Sequence, residues 1–175
     1  AWITGPPGTY LRPRIPAPPG HWIVCGYGRF GSEVVRAIKE AGFDVTIVDR
    51  DQGDVQGVKV IRGLGTAPND LTAAGIGHAE GIVAGTDDDT ANITMAIAAR
   101  QLHPGIFVIA RQNLVSRRLV FDALGADMTM VSSEIIANEC LAILRTPNMS
   151  AFLRIVRARD NSWAQDVVER LRSIM

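Results

Sequence analysis

Apolar and polar positions from His21 onward follow two alternating patterns. Short continuous apolar runs are typical of strands in a parallel sheet that is covered on both faces. Between them lie segments with apolar residues at helical spacing, and these stop at glycines such as Gly42 and Gly75, as helix C-termini do. The predicted strands are 22–25, 44–48, 58–61, 81–84, 106–110 and 128–131. The predicted helices are 29–41, 67–74, a helix capped by 86–89 that runs to 102, 113–123 and 133–145. Six strand–helix units in series predict an α/β fold with a doubly wound, six-stranded parallel sheet.

The two ends of the chain differ in pattern from the middle. Residues 1–20 hold six prolines and show neither pattern, which predicts an extended linker or arm. Residues 147–175 contain two apolar helical stretches with no strand after them, which predicts a C-terminal helical extension. That extension either caps the same core or packs against a partner. Residues 21–146 are therefore expected to form the main domain.

A glycine motif, Gly26-Tyr27-Gly28-Arg29-Phe30-Gly31, joins the first predicted strand to the first predicted helix. An acidic residue, Asp49, follows the second strand, as in the dinucleotide-binding fingerprint of Rossmann-like folds. In such turns the first glycine allows a tight bend, the second admits a pyrophosphate, and the third lets helix and strand pack closely. The N–H groups that open the helix favour phosphate, and the carboxylate accepts hydrogen bonds from ribose hydroxyls. The motif predicts a nucleotide site, and the alternative is a glycine-tight turn without a ligand.

The amino-acid composition limits which kinds of molecule the protein is expected to bind and where in the cell it is expected to act. Basic and acidic residues balance at 18 each, so a large nucleic-acid footprint is not expected. The two cysteines, Cys25 and Cys140, lie far apart in apolar surroundings and are predicted to be reduced core thiols of a cytosolic protein. No apolar run approaches the length of a membrane span and no signal peptide is recognisable, so direct membrane insertion is not expected.

Catalytic chemistry has little support in the sequence. A dehydrogenase needs a substrate site and a proton donor, yet the predicted nucleotide-binding unit uses nearly all of the chain. The three histidines, His21, His78 and His103, open strands or end a helix, whereas ligands of such sheets bind at the carboxyl ends of strands. No pairing of serine or cysteine with histidine is apparent. We therefore predict a binding module with no catalytic residue and no metal ligand.

Further motifs occur in order along residues 21–146. They are Val48-Asp49, Gly63-Leu64-Gly65-Thr66, Ala74-Gly75-Ile76, Ala84-Gly85-Thr86-Asp87-Asp88-Asp89 with Asn92, Ile109-Ala110-Arg111 with Asn113, Leu124-Gly125-Ala126-Asp127, and Ser132-Ser133-Glu134. With the glycine turn, they resemble the RCK/KTN nucleotide-binding domain, also called the TrkA N-terminal domain. Domains of that family regulate conductance in potassium channels and transporters.

The resemblance implies a ligand and the residues that contact it. The ligand would be NAD(H), ATP, ADP or AMP, bound at the carboxyl edge of the sheet. Glycines and Arg29 would hold phosphates, Arg111 would reach phosphate or the crevice, and Glu134 would sense the ligand across a dimer interface. Leu64 stands where the family usually has an acidic residue, so it would stack on a base without hydrogen-bonding to it. The expected contact residues are Gly26, Tyr27, Gly28, Arg29, Phe30, Gly31, Asp49, Arg50, Leu64, Thr86, Asp87, Arg111 and Glu134.

Several of these residues have ordinary structural alternatives. Arg29 and Arg111 are also compatible with solvated surface charges. The acidic run 87–89 also suits a helix N-terminus, because carboxylates in a first turn complement the helix dipole. Glu134 is equally compatible with a first-turn carboxylate.

The function implied by the resemblance is that of a cytoplasmic regulatory domain which gates potassium transport. Its partner would be a membrane channel or transporter, in the same polypeptide or a separate subunit, which would place the domain at the inner face of the cell membrane. Helix 113–123, through Leu114, Leu119, Val120 and Phe121, or helix 133–145 would supply the face that pairs in a homodimer or a larger ring. The alternatives are a fragment of an NAD-dependent oxidoreductase and a scaffold without a ligand.

Overall fold

The computed structural model describes residues 18–131 together with Ser133, Ala137 and Cys140. The chain divides after Ser132 into two compact units, and residues 18–131 belong to the first of them. Most of the predicted arm of residues 1–20, the predicted extension of residues 147–175 and the predicted contact residue Glu134 lie outside the described residues. Predictions about those parts of the chain stay predictions.

Strands and helices alternate along residues 18–131. The strands are β1 (His21–Cys25), β2 (Asp44–Asp49), β3 (Lys59–Arg62), β4 (Gly81–Ala84), β5 (Phe107–Gln112) and β6 (Met128–Val131). The α-helices are α1 (Arg29–Glu40), α2 (Pro68–Ala74), α3 (Asp89–Leu102) and α4 (Arg118–Leu124). Short 3₁₀ turns occupy Ile76–His78 and Val115–Arg117. No helix in the described part of the chain is both long and apolar enough to span a membrane.

The six strands form one parallel sheet in the order β3-β2-β1-β4-β5-β6. This order confirms the predicted doubly wound, Rossmann-like sheet. The chain reverses direction across the sheet between β1 and β4, and such a switch point opens a crevice at the carboxyl ends of the strands. The predicted glycine turn follows β1 and therefore lies at that crevice.

The core lies on both faces of the sheet, which explains the continuous apolar runs. In β1, Ile23 and Cys25 face a cluster that includes α2 and α3, whereas Trp22 and Val24 face a cluster that includes α1. Successive side chains of a strand point to opposite faces, so a strand covered on both sides must be apolar at every position.

Two predicted boundaries and one predicted burial are wrong. Strand β5 continues to Gln112, and the helix predicted over 113–123 begins at Arg118 after a 3₁₀ turn. The reason is that the carboxylate of Asp89 accepts hydrogen bonds from the backbone N–H groups of Asn113, at 2.6 Å, and Leu114, at 3.0 Å, which holds that segment outside the helix. Cys25 is buried as predicted, but Cys140 is exposed.

Candidate functional site

A cleft of about 1060 Å³ opens at the carboxyl ends of the strands. Ten of the thirteen predicted contact residues line it: Gly26, Gly28, Arg29, Phe30, Asp49, Arg50, Leu64, Thr86, Asp87 and Arg111. Tyr27 and Gly31 do not, and Glu134 lies outside the described residues. The cleft also has lining residues that the sequence did not single out, among them Asp51 and Thr94. The fold thus brings together residues that lie up to 85 positions apart, from Gly26 to Arg111.

Two glycines of the turn are required by the protein itself. Gly26 has φ +91°, a left-handed conformation that favours glycine, and its N–H donates to the carbonyl of Val48 at 2.9 Å. A side chain on Gly31 would overlap the carbonyl oxygen of Gly26 where helix α1 crosses the turn. Both positions are explained by close backbone packing, with or without a ligand.

Gly28 differs from the other two, because nothing in the described structure requires a glycine there. Its backbone is extended, with φ −76°, and a Cβ built on it would meet no atom within 4 Å. It lines the cleft and precedes α1, whose first-turn N–H groups receive no side-chain cap. Uncapped N–H groups at a helix N-terminus are a ready site for phosphate. The open space at Gly28 is therefore space into which a bound molecule fits.

Asp49 organises the cleft wall with its carboxylate. One oxygen accepts the N–H of Tyr27 at 2.7 Å, and the other accepts the N–H groups of Asp51 and Gln52, each at 2.9 Å. These three bonds shape both the glycine turn and the loop after β2. A carboxylate has about four lone-pair sites, so capacity for a ribose hydroxyl remains. The side chain of Tyr27 packs with the α1 cluster, so this residue takes part through its backbone.

Two arginines that line the cleft, Arg29 and Arg50, differ in whether they form an ion pair with a described residue. The exposed side chain of Arg29 has no hydrogen bond or ion pair with any described residue, so it is available to an anion. Arg50 is ion-paired with Asp51, at 3.1 Å between Nη2 and Oδ2, and both side chains are largely exposed. The hydrogen bonds that Arg50 donates to the Asp51 carboxylate raise the pKa of the Arg50 guanidinium above its usual value, and the negative charge of Asp51 makes a smaller contribution in the same direction.

Arg111 projects from the end of β5 into the cleft. Its guanidinium lies 5.3 Å from the centre of the Phe30 ring, within range of a cation–π contact. Nη1 donates to the carbonyl of Gly85 at a long 3.4 Å, and Nε is buried with no hydrogen-bond partner among the described residues. A buried donor without a partner is uncommon in folded proteins.

The segment after β4 is held by Asn92, a fully buried residue of α3. Its Oδ1 accepts the N–H of Thr86 at 2.9 Å and the Thr86 hydroxyl at 2.7 Å. Its Nδ2 donates to the carbonyls of Thr86, at 2.9 Å, and Arg111, at 2.8 Å. Asn92 thereby ties the end of β4 to the end of β5 and positions the cleft residues on both strands.

The acidic run after Thr86 has three separate roles. Asp88 caps α3 by accepting the N–H groups of Thr90 and Ala91, as the helix-terminus alternative anticipated. Asp89 is buried and accepts three hydrogen bonds from Asn113 and Leu114. Asp87 is exposed on the cleft wall and accepts no hydrogen bond from any described residue. Spacing alone did not identify Asp89 and Asn92 as supports of the cleft, because the partners of Asp89 lie 24 and 25 residues away and Asn92 also bonds to Arg111, 19 residues away.

The described cleft lining contains no histidine and no cysteine. His21 bonds to Thr46 at 2.9 Å at the amino end of β1, and burial lowers its pKa. Burial, with a smaller contribution from Asp70, raises the pKa of the Cys25 thiol to about 12, so the reactive thiolate is not formed near neutral pH. Within the described residues, no group of three or more histidine, cysteine or acidic side chains is placed to hold a metal ion.

Comparison with known proteins adds independent findings. The model of the TrkA-N domain family matches residues 22–132. Potassium channel protein 1 of Methanocaldococcus jannaschii is 25% identical over 157 residues, covering 86% of this chain and 47% of that protein. A Trk system potassium uptake protein TrkA homolog of Pyrococcus abyssi is 29% identical over 142 residues, covering 75% of this chain and 63% of that protein. The chain thus spans about half to two thirds of the length of these relatives.

Solved structures show the same fold. The GsuK protein bound to ADP is 29% identical with a TM-score of 0.64, covering 74% of this chain and 35% of that chain. The GsuK channel bound to NAD is 29% identical with a TM-score of 0.63, covering 79% of this chain and 25% of that chain.

Proposed function

This chain belongs to the TrkA-N domain family, and from that premise we propose that it is a regulatory domain that binds NAD(H), AMP, ADP or ATP and thereby controls potassium transport. Its partner would be a membrane channel or transporter, in the same polypeptide or as a separate subunit, with this domain at the inner face of the cell membrane. The relatives named as potassium channel and potassium uptake proteins support this role. The GsuK structures bound to ADP and NAD support the ligand class.

The observation that carries the proposal is the open space at Gly28. A Cβ there would meet nothing within 4 Å, so packing does not require a glycine at this position. Because glycine has no side chain, the space beside the uncapped N-terminus of α1 stays open. Arg29, which has no ion pair with any residue in the described part of the chain, and Arg111 line the same cleft. Phosphate oxygens are the ligand atoms that such a set of donors accommodates.

The regulatory step is a linkage between nucleotide binding and the arrangement of paired domains. A nucleotide shifts such an equilibrium only by its difference in affinity for the two arrangements. Asp89 provides a physical connection, because it follows the cleft segment 86–88 directly and binds the N–H groups of Asn113 and Leu114. Displacement of the cleft segment would therefore move the exposed apolar surface that begins at Leu114.

The proposed pairing surface consists of Leu114, Val115, Leu119 and Val120, which we call the α4 surface. These side chains are 52%, 53%, 82% and 52% exposed. Phe121, which the sequence placed on the same face, is instead 1% exposed and packs in the core. Adjacent exposed apolar residues at a helix surface are typical of protein–protein contacts, and we propose that a second copy of this chain covers them.

We expect Leu119→Glu to convert a dimer into monomers, because burying a carboxylate without a partner in an apolar interface is strongly unfavourable. Sedimentation velocity measures this directly. Leu102→Glu, at a site 39% exposed on α3 and outside the α4 surface, is the matched control. Equal sedimentation of Leu119→Glu and wild-type protein would contradict pairing through this surface.

The experiment that tests the proposed function measures binding and turnover together. Calorimetry and thermal unfolding with NAD⁺, NADH, AMP, ADP and ATP report binding, since a ligand at 100 times its Kd stabilises the native state by about 2.7 kcal/mol. Absorbance at 340 nm with a panel of carbonyl substrates reports NADH oxidation. We expect stabilisation without oxidation. Oxidation would instead favour the oxidoreductase fragment, and no stabilisation by any nucleotide would favour the scaffold without a ligand.

Asp49→Ala is expected to weaken nucleotide binding about tenfold and to lower the free energy of unfolding by about 1–2 kcal/mol. The first effect follows from loss of the proposed ribose contact, and the second from loss of a partner for three backbone N–H groups. Calorimetry and urea unfolding measure the two effects separately. Asp54→Ala, at an exposed acid outside the cleft lining, is the control. Unchanged affinity in Asp49→Ala would remove this residue from the site.

A further inference from the structure

The two ends of the cleft differ in how the charges of their carboxylates are offset. The end at β2 holds Asp49 and the Arg50–Asp51 ion pair, and the glycine turn in the middle holds the unpaired Arg29. The end at β4 and β5 holds two carboxylates, Asp87 and Asp88, against the single guanidinium of Arg111. Among the lining residues of the described structure, each of these two ends therefore holds two carboxylates and one guanidinium, and the ends differ in the partners of those carboxylates.

The direction of the ligand follows from the proposed site, on which this inference rests. With the adenosine ribose at Asp49 and the first phosphates at the uncapped N-terminus of α1, the rest of the ligand extends toward β4, where the cleft continues. A dinucleotide places a second nucleoside there. ATP places its terminal phosphate there, and that phosphate carries the highest density of negative charge in the molecule.

Asp87 dominates the choice between these two ligands. Its carboxylate is exposed on the cleft wall and accepts no hydrogen bond from any described residue, so its charge is not offset by a donor. The charge of Asp88 is partly offset, because that carboxylate caps α3 and accepts the N–H groups of Thr90, at 2.8 Å, and Ala91, at 3.3 Å. The guanidinium of Arg111 lies over the Phe30 ring and donates a long hydrogen bond to the carbonyl of Gly85.

We propose that Asp87 is a specificity-determining residue that makes this cleft favour dinucleotides and AMP over ATP, by repelling a third phosphate at the β4 end. The ribose and nicotinamide of a dinucleotide bring no additional negative charge to that position, and ribose hydroxyls can donate hydrogen bonds to the carboxylate. AMP does not reach it. The residue sets which nucleotide binds tightly, whereas the glycine turn accepts the phosphates common to all of them.

The test compares Asp87→Asn with wild-type protein by calorimetry against AMP, ATP and NAD⁺, in low salt with a chelator so that no divalent cation masks the terminal phosphate. Two unit charges about 4 Å apart in a water-like medium correspond to roughly a fivefold change in affinity. We expect Asp87→Asn to bind ATP about fivefold more tightly and AMP within twofold of wild type. Raising the salt concentration should shrink the difference, because exposed charges are screened. Asp54→Asn, which removes an exposed charge outside the cleft lining, should change neither affinity.

The outcomes separate this inference from the proposed function. Wild-type protein that binds ATP as tightly as AMP, or an Asp87→Asn variant that changes both affinities alike, overturns the role of Asp87 and leaves nucleotide binding standing. Failure of every nucleotide to bind overturns both. Asp87→Lys provides a second variant with opposite charge, and it should favour ATP over AMP more strongly than Asp87→Asn does.

Discussion

Gly28→Val is expected to abolish measurable nucleotide binding, a loss of at least about 100-fold in affinity, while the protein stays folded. The valine side chain would occupy the open space beside the first turn of α1, where the phosphates are proposed to lie. A 100-fold loss corresponds to about 2.7 kcal/mol of binding free energy. The free energy of unfolding should fall by only about 1 kcal/mol, because no protein atom lies in the way of the new side chain but valine is a poorer N-cap residue than glycine.

Calorimetry with NADH and AMP, paired with urea unfolding, tests this separation of binding from stability. Gly77→Val is the matched control, since Gly77 also has open space around its Cβ position but lies outside the cleft lining. Gly31→Ala is a control for the opposite effect, a loss of stability caused by a steric clash within the protein. It should lower stability sharply, because its methyl group would overlap the Gly26 carbonyl. Normal nucleotide affinity in Gly28→Val would refute the proposed position of the phosphates.

Asn92→Ala is expected to lower the free energy of unfolding by about 3 kcal/mol or more. The substitution removes the partner of the Thr86 N–H and one donor to each of the carbonyls of Thr86 and Arg111, although the Thr86 carbonyl keeps Asn113 Nδ2 at 3.2 Å. Each polar group left without a partner in a buried environment costs about 1–3 kcal/mol. Against a typical total of 5–15 kcal/mol, this is a large fraction of the stability of a domain. Nucleotide affinity should fall as well, because Thr86 and Arg111 would lose their fixed positions in the cleft.

Urea unfolding and calorimetry measure the two effects of Asn92→Ala. The control is Asn69→Ala on α2, where the asparagine is exposed and has no side-chain hydrogen bond with any described residue. Its free energy of unfolding should stay within about 0.5 kcal/mol of the wild-type value. If Asn92→Ala is as stable as Asn69→Ala, the four hydrogen bonds of Asn92 do not hold the ends of β4 and β5 together.

Local patterns were sufficient for the fold, and together with the family resemblance they predicted ten of the twenty residues that line the cleft. The continuous apolar run of β1 and the glycines after it report burial and backbone conformation, both of which are properties of neighbouring residues. The same patterns did not distinguish Gly28 from Gly31, since the fingerprint contains both. Only the packing of α1 against the turn shows that Gly31 is required by the protein and that Gly28 is not.

The errors occurred where a residue's partner is distant in sequence. Helical spacing suggested a single helix over 113–123, yet the Asp89 carboxylate, 24 residues before Asn113, holds its first residues in another conformation. Spacing also grouped Phe121 with its exposed neighbours, although it is buried in the core.

The amino-acid sequence by itself determined the order of strands and helices along the chain, the position of the glycine turn and the family of the domain. Those features follow from periodicity, glycine placement and short motifs, which are local. The tertiary structure alone decided that Asn92 bonds to the ends of two strands and that Asp89 bonds to Asn113 and Leu114. It also decided that, among the acids lining the cleft, Asp87 accepts no hydrogen bond from a described residue. Hydrogen bonds between distant segments form only after the chain has folded, so no local pattern encodes which partner each polar side chain will find.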